Sequence, residues 1–132
     1  MFYIKEIEHS DGKLDTVSPV QERQVVSEKT ATTILGMLAN VVQSGHSKKA
    51  AIDGYYIGGK TGTAQIAVNG KYVQDRYNHT FIGIAPIDSP KFVMLTHIDS
   101  PKGIQYAEAS ALPLWTDIAT FMLQYYQVPK TK

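Results

Sequence analysis

Eight consecutive residues, Gly58-Gly59-Lys60-Thr61-Gly62-Thr63-Ala64-Gln65, set one cation, two hydroxyls and three positions without side chains between apolar neighbours. That set suits an extended ligand that carries an anionic group. The Lys60 ammonium supplies positive potential, the Thr61 and Thr63 hydroxyls can donate to a terminal carboxylate, and Gly62 leaves bare backbone along which a peptide can lie as an added strand. Taken alone, Lys-Thr-Gly also fits an ordinary edge strand with a solvated lysine, so the flanking residues have to decide.

The element that must hold these groups reads as one strand, Tyr55–Val68: Tyr55-Tyr56-Ile57 open it, and Ile66-Ala67-Val68 lead to Asn69-Gly70, a two-residue hairpin signal. Side chains alternate along a strand, so Lys60 goes to one face and Thr61 and Thr63 to the other. A competing pattern uses the same residues, because Gly54-Tyr55-Tyr56-Ile57-Gly58-Gly59-Lys60-Thr61 fits the phosphate-loop spacing G-x-x-x-x-G-K-[ST]. Such a loop follows a buried strand and opens a helix. Here Ser47-Lys48-Lys49-Ala50 precedes it, a glycine and β-branched residues follow, and two tyrosines with an isoleucine crowd the loop, which argues against a nucleotide.

The remaining elements predict an α+β fold. Phe2–Glu8 and Leu14–Val17, joined by Ser10-Asp11-Gly12-Lys13, read as a short hairpin that Ser18-Pro19 ends. Ser27 is an N-cap for a helix over Lys29–Gln43, whose Ala31, Ile34, Leu35, Leu38, Val41 and Val42 form a core stripe until Ser44-Gly45 stops it. After the first strand, a polar stretch Asp75–His79 precedes strands Thr80–Ala85 and Lys91–Ile98, giving a three-stranded antiparallel meander. A last helix over Ala111–Tyr126, with Pro113 in its first turn and Leu114, Trp115, Ile118, Ala119, Met122 and Leu123 at helical spacing, packs on the sheet. Met37, Met94 and Met122 read as core fillers, and Lys48 and Lys49 as a solvated loop.

With 132 residues and 43% apolar content the chain has room for one domain with a real core. A net charge of +1 gives no electrostatic case for nucleic acid or an anionic membrane surface. There is no cysteine, hence no disulfide or thiol chemistry. No stretch reaches the roughly 20 apolar residues of a membrane span, and the N-terminus does not read as a signal peptide, so an export signal or anchor is expected only upstream. His9, His46, His79 and His97 lack metal-ligand spacing and read as surface or partly buried residues; no metal or cofactor is expected. Glu6 and Glu8 read as a solvated strand face.

Lys60-Thr61-Gly62-Thr63-Ala64-Gln65, then Phe81-Ile82-Gly83-Ile84-Ala85-Pro86, then Pro90–Leu95 running to Ile98-Asp99-Ser100-Pro101-Lys102, resemble the C-terminal part of the class B penicillin-binding proteins. Val26–Ala31 is similar to the family's helix start before the Lys-Thr-Gly strand, and Ala111-Leu112-Pro113 to the opening of its last helix, so the resemblance covers nearly the whole chain. It implies that residues 1–132 are the C-terminal portion of a transpeptidase domain of the serine β-lactamase-like fold. The implied activity is acyl transfer that cross-links peptidoglycan, acting on the D-alanyl-D-alanine end of a stem peptide and open to β-lactams, at the extracytoplasmic face of the bacterial membrane. By the same resemblance Lys60 is catalytic, lending potential to proton transfer; Thr61 and Thr63 bind the substrate carboxylate, the Thr63 amide forms half of an oxyanion hole, and Gly62 leaves room for the ligand.

Two of the family's three motifs are missing. No Ser-x-Asn or Tyr-x-Asn occurs, and the one S-x-x-K match, Ser10-Asp11-Gly12-Lys13, falls in a hairpin turn, where Ser and Lys are not one helical turn apart. The nucleophile is expected in upstream sequence of the same domain, and the chain alone is expected to be inert. The link Ile104–Ala109 is also poorer in glycine than the family's. A non-catalytic binding or scaffold fragment and a β-lactam sensor domain are the alternatives.

Overall fold

The computed structural model describes residues 5–18, 20 and 23–132. A hairpin of β1 (Glu6–Glu8) and β2 (Leu14–Thr16) stands apart as a separate two-stranded sheet. Its turn is closed by His9 N–H to Lys13 O at 2.9 Å, with Gly12 at φ 81°. The predicted strand over Phe2–Ile4 and the stop at Pro19 lie outside the described residues.

Helix α1 (Glu28–Gln43) begins where the sequence places it: Ser27 is extended and its hydroxyl accepts from Thr30 N–H at 3.1 Å, satisfying one orphan amide of the first turn. The main sheet is an antiparallel meander, β3 (Gly58–Val68), β4 (Lys71–Ala85) and β5 (Phe92–Asp99), in the order β3-β4-β5. Asn69 and Gly70, at φ 51° and 75°, make the two-residue turn between β3 and β4. Helix α2 (Ala111–Tyr125) closes the fold. The antiparallel sheet with helices against it is the α+β arrangement expected from the sequence.

One face of the sheet carries the core. Thr61, Phe81 and Thr96 lie abreast across the strands, followed by Gly59, Gly83 and Met94. Trp115 of α2 lies over Gly83, where a Cβ would overlap its indole ring. The same ring meets Phe81 edge-on at 5.2 Å and donates Nε1–H to Met94 O at 2.9 Å. Thr96 hydroxyl donates to Ala111 O at 2.7 Å, fixing the start of α2 on β5. The opposite face is reached by α1 at the Gly58 end, where an ideal Cβ would stand 3.3 Å from Ala39 N. Elsewhere that face is open: Ile82, Val93 and Leu95 are exposed.

Several expectations are corrected. Strand β3 starts at Gly58, not at Tyr55. The polar run Asp75–His79 belongs to β4 and is no connection, because Tyr77, Asn78 and His79 pair with Gln65, Ala64 and Thr63; cross-strand pairing outweighs composition, and the irregularity is confined to a register shift between Gln65 and Ala67 with Asp75 at φ 60°. Only Val42 of the α1 stripe is fully buried, while Ile34 and the presumed core filler Met37 are exposed, since little beyond β3 packs on that helix. Leu114 and Ile118 of α2 are also exposed beside buried Trp115, Ala119 and Leu123. His79, read as surface or partly buried, is fully buried.

Candidate active site

Strand β3 is an edge strand, with β4 on one side and no strand on the other among the described residues. Its register with β4 opposes Lys60 to Ile82, Thr61 to Phe81, Gly62 to Thr80 and Thr63 to His79. Lys60 therefore shares a face with Ile82, while Thr61 and Thr63 share the opposite face with Phe81 and His79, as alternation predicts. The phosphate-loop reading finds no support, because Lys60 and Thr61 run on as strand and open no helix.

The Lys60 side chain comes round the open edge, and its Nζ donates to Thr61 O at 3.1 Å, with the Thr61 hydroxyl 3.4 Å away. Thr61 O thus faces outward rather than toward β4. In an antiparallel ladder the residues of one parity direct both N–H and C=O the same way, which turns the Thr63 amide to the open edge as well. Among the described residues no carboxylate lies within ion-pair distance of Lys60 Nζ. The ammonium is exposed and hydrogen-bonded to neutral oxygens, with the Glu108 carboxylate on the far side of the Thr61 hydroxyl.

Gly62 has a reason of its own. A Cβ there would overlap Thr80 Oγ1 on the neighbouring strand, and the Thr80 hydroxyl donates to Gly62 O at 3.4 Å. A side chain at this position would therefore have to displace the Thr80 hydroxyl, apart from any effect on a ligand.

The link after β5, poorer in glycine than the family's, runs back to β3. A short 3-10 turn, Ala107–Ala109, lies against the strand. Buried Ala107 donates its N–H to Thr63 Oγ1 at 3.2 Å, the Thr61 hydroxyl donates to Glu108 Oε1 at a long 3.4 Å, and Ser110 Oγ lies 2.7 Å from His79 Nδ1. Glu108 and Ser110 were not singled out from the sequence, and His79 was given no role there. Ser110 stands at the N-cap position of α2, and its partner lies 31 positions earlier in the chain.

Ser10 and Lys13 stand on the exposed hairpin turn. The arrangement can therefore bind an extended, carboxylate-bearing ligand along β3 and polarise it; Ser10 and Lys13 stand on a turn rather than a helix, and the described serine that meets a ring nitrogen is Ser110, at His79 Nδ1.

The family profile "Penicillin binding protein transpeptidase domain" matches residues 1–120. Stage V sporulation protein D of Bacillus subtilis is 43% identical over 98 residues, covering 74% of this chain and 15% of that protein. A probable peptidoglycan D,D-transpeptidase, PenA of Neisseria flavescens, is 33% identical over 130 residues, covering 92% of this chain and 32% of its own. The crystal structure of penicillin binding protein 3 from Mycobacterium tuberculosis, complexed with ampicillin, superposes with a TM-score of 0.81 at 35% identity, over 97% of this chain and 31% of that one. The chain thus spans less than a third of the length of these relatives.

Proposed function

The chain belongs to the penicillin-binding protein transpeptidase family, with class B relatives and the serine β-lactamase-like fold, and from that membership we propose that it is the substrate-binding portion of a serine D,D-transpeptidase that cross-links peptidoglycan. The observation that carries this reading is the split at the open edge of β3: Lys60 on one face, Thr61 and Thr63 on the other, and outward-facing backbone between them.

In this reading the D-alanyl-D-alanine end of a stem peptide, or a β-lactam in its place, lies along β3 with its carboxylate at Thr61 and Thr63. The nucleophilic serine and its lysine come from upstream sequence of the same domain and attack the carbonyl held by the Thr63 amide, one half of an oxyanion hole whose other half is the nucleophile's own amide. Lys60 lends positive potential to the carboxylate and to proton transfer from that serine. Residues 1–132 then form the C-terminal portion of the domain, and the exposed Ile82, Val93 and Leu95 face is covered by the upstream portion. The protein works at the extracytoplasmic face of the bacterial membrane.

The experiment is acylation by a fluorescent penicillin. The protein that contains this segment together with its upstream sequence should be labelled on a serine outside residues 1–132, and the label should fall in Lys60→Ala. A protein that never labels would leave the fold as a binding or scaffold module and remove the enzyme reading.

A further inference from the structure

Ser110 occupies the N-cap position of α2, where a serine ordinarily turns its hydroxyl onto the amides of the first helical turn. It makes no such bond. Its hydroxyl is engaged 2.7 Å away by Nδ1 of His79, a fully buried side chain that faces Thr63 across the β3–β4 ladder. The other ring nitrogen, Nε2, is buried without a hydrogen-bond partner among the described residues. A pair kept only for packing would be better served by apolar side chains, which leave no capping bond unmade and no buried nitrogen unsatisfied.

The pair has a consequence at the site. It ties down the link that carries Ala107, whose N–H donates to Thr63 Oγ1 at 3.2 Å. A hydroxyl oxygen that accepts from a fixed amide keeps its own hydrogen for another acceptor, on the side away from that amide. Thr61 is held in the opposite sense, since its hydroxyl donates to Glu108 Oε1. We propose that His79 and Ser110 are positioning residues for Thr63: their hydrogen bond fixes the 107–110 link so that Ala107 N–H fills the Thr63 oxygen and the Thr63 hydrogen is presented to the ligand carboxylate. The inference rests on the reading of Thr63 as a carboxylate donor, and it makes Thr63, more than Thr61, the residue that recognises a free acid.

The test compares acylation rate constants for benzylpenicillin and its methyl ester in the full protein carrying this segment; the acid-to-ester ratio is the readout. Thr63→Val should lower the ratio about tenfold, the scale of one hydrogen bond to a charged group. Ser110→Ala should lower it roughly threefold, Ser110→Thr should restore it, and Ser110→Ala should add nothing in the Thr63→Val background. A general loosening of the fold slows both substrates alike and leaves the ratio unchanged. If Thr63→Val lowers the ratio and Ser110→Ala does not, the positioning role is overturned and the Thr63 reading stands. If Thr63→Val leaves the ratio unchanged, both fall. Should Ser110→Ala fail to fold, Ser110→Cys, close in shape but a weak hydrogen-bonding group, takes its place with the same expectation.

Discussion

Lys60 and Thr61 leave β3 on opposite faces, yet the Lys60 ammonium comes round the open edge to the Thr61 carbonyl, 3.1 Å away. The cation therefore rests against the groups expected to meet a ligand carboxylate, with no carboxylate of its own among the described residues. Lys60→Ala in the full protein should slow acylation by at least ~2 kcal/mol in transition-state stabilisation, the scale of one preorganised electrostatic contact. Because the side chain is exposed, the melting temperature should stay near that of the parent. Unchanged acylation, or a loss of folding, would show the strand to be structural.

Residues 1–132 alone should form no covalent adduct with penicillin. Acylation needs a hydroxyl and a base one helical turn apart, and the one S-x-x-K pair, Ser10 with Lys13, stands on a turn whose Gly12 has φ 81°. Denaturing electrophoresis after incubation with a fluorescent penicillin gives the answer. A covalent band that maps to Ser10 would reverse the assignment of that turn.

The sequence carried the parts of the fold that local chemistry determines. Ser27 caps α1, Asn69-Gly70 turns β3 into β4, and the alternation of Lys60 against Thr61 and Thr63 holds in the register. It misled where tertiary pairing overrides composition, as in Asp75–His79, whose polar residues extend β4 because β3 continues beside them. It was silent on Glu108 and Ser110 and read His79 as surface or partly buried, since their meeting depends on the return of the link to β3, a contact across 31 to 47 residues that no periodicity encodes.

Trp115 joins α2 to the sheet behind the site, fully buried, edge-on to Phe81 and bonded to Met94 O. Trp115→Ala should cost ~3–5 kcal/mol of unfolding free energy, the range for emptying an aromatic core position. Trp115→Phe keeps most of the volume but removes the Nε1–H bond to Met94 O, a loss on the order of 0.5–1.5 kcal/mol. Urea unfolding followed by circular dichroism ranks the two, and equal small losses would mean that the α2 contact contributes little to the fold.

Ile82, Val93 and Leu95 make an apolar row on the sheet face opposite Trp115, exposed by 43%, 62% and 58%. Large contiguous apolar patches on a chain in water drive association, and unpaired strand edges beside them add a second route. The isolated chain should therefore self-associate as its concentration rises, whereas under the proposed function an upstream portion of the domain is expected to cover this face. Leu95→Gln with Val93→Thr should shift sedimentation velocity toward the monomer at equal concentration. Both side chains are mostly exposed, so the melting temperature of the monomer should change little. A wild-type chain that sediments as a monomer at high concentration would mean that this face is stable in water without a cover.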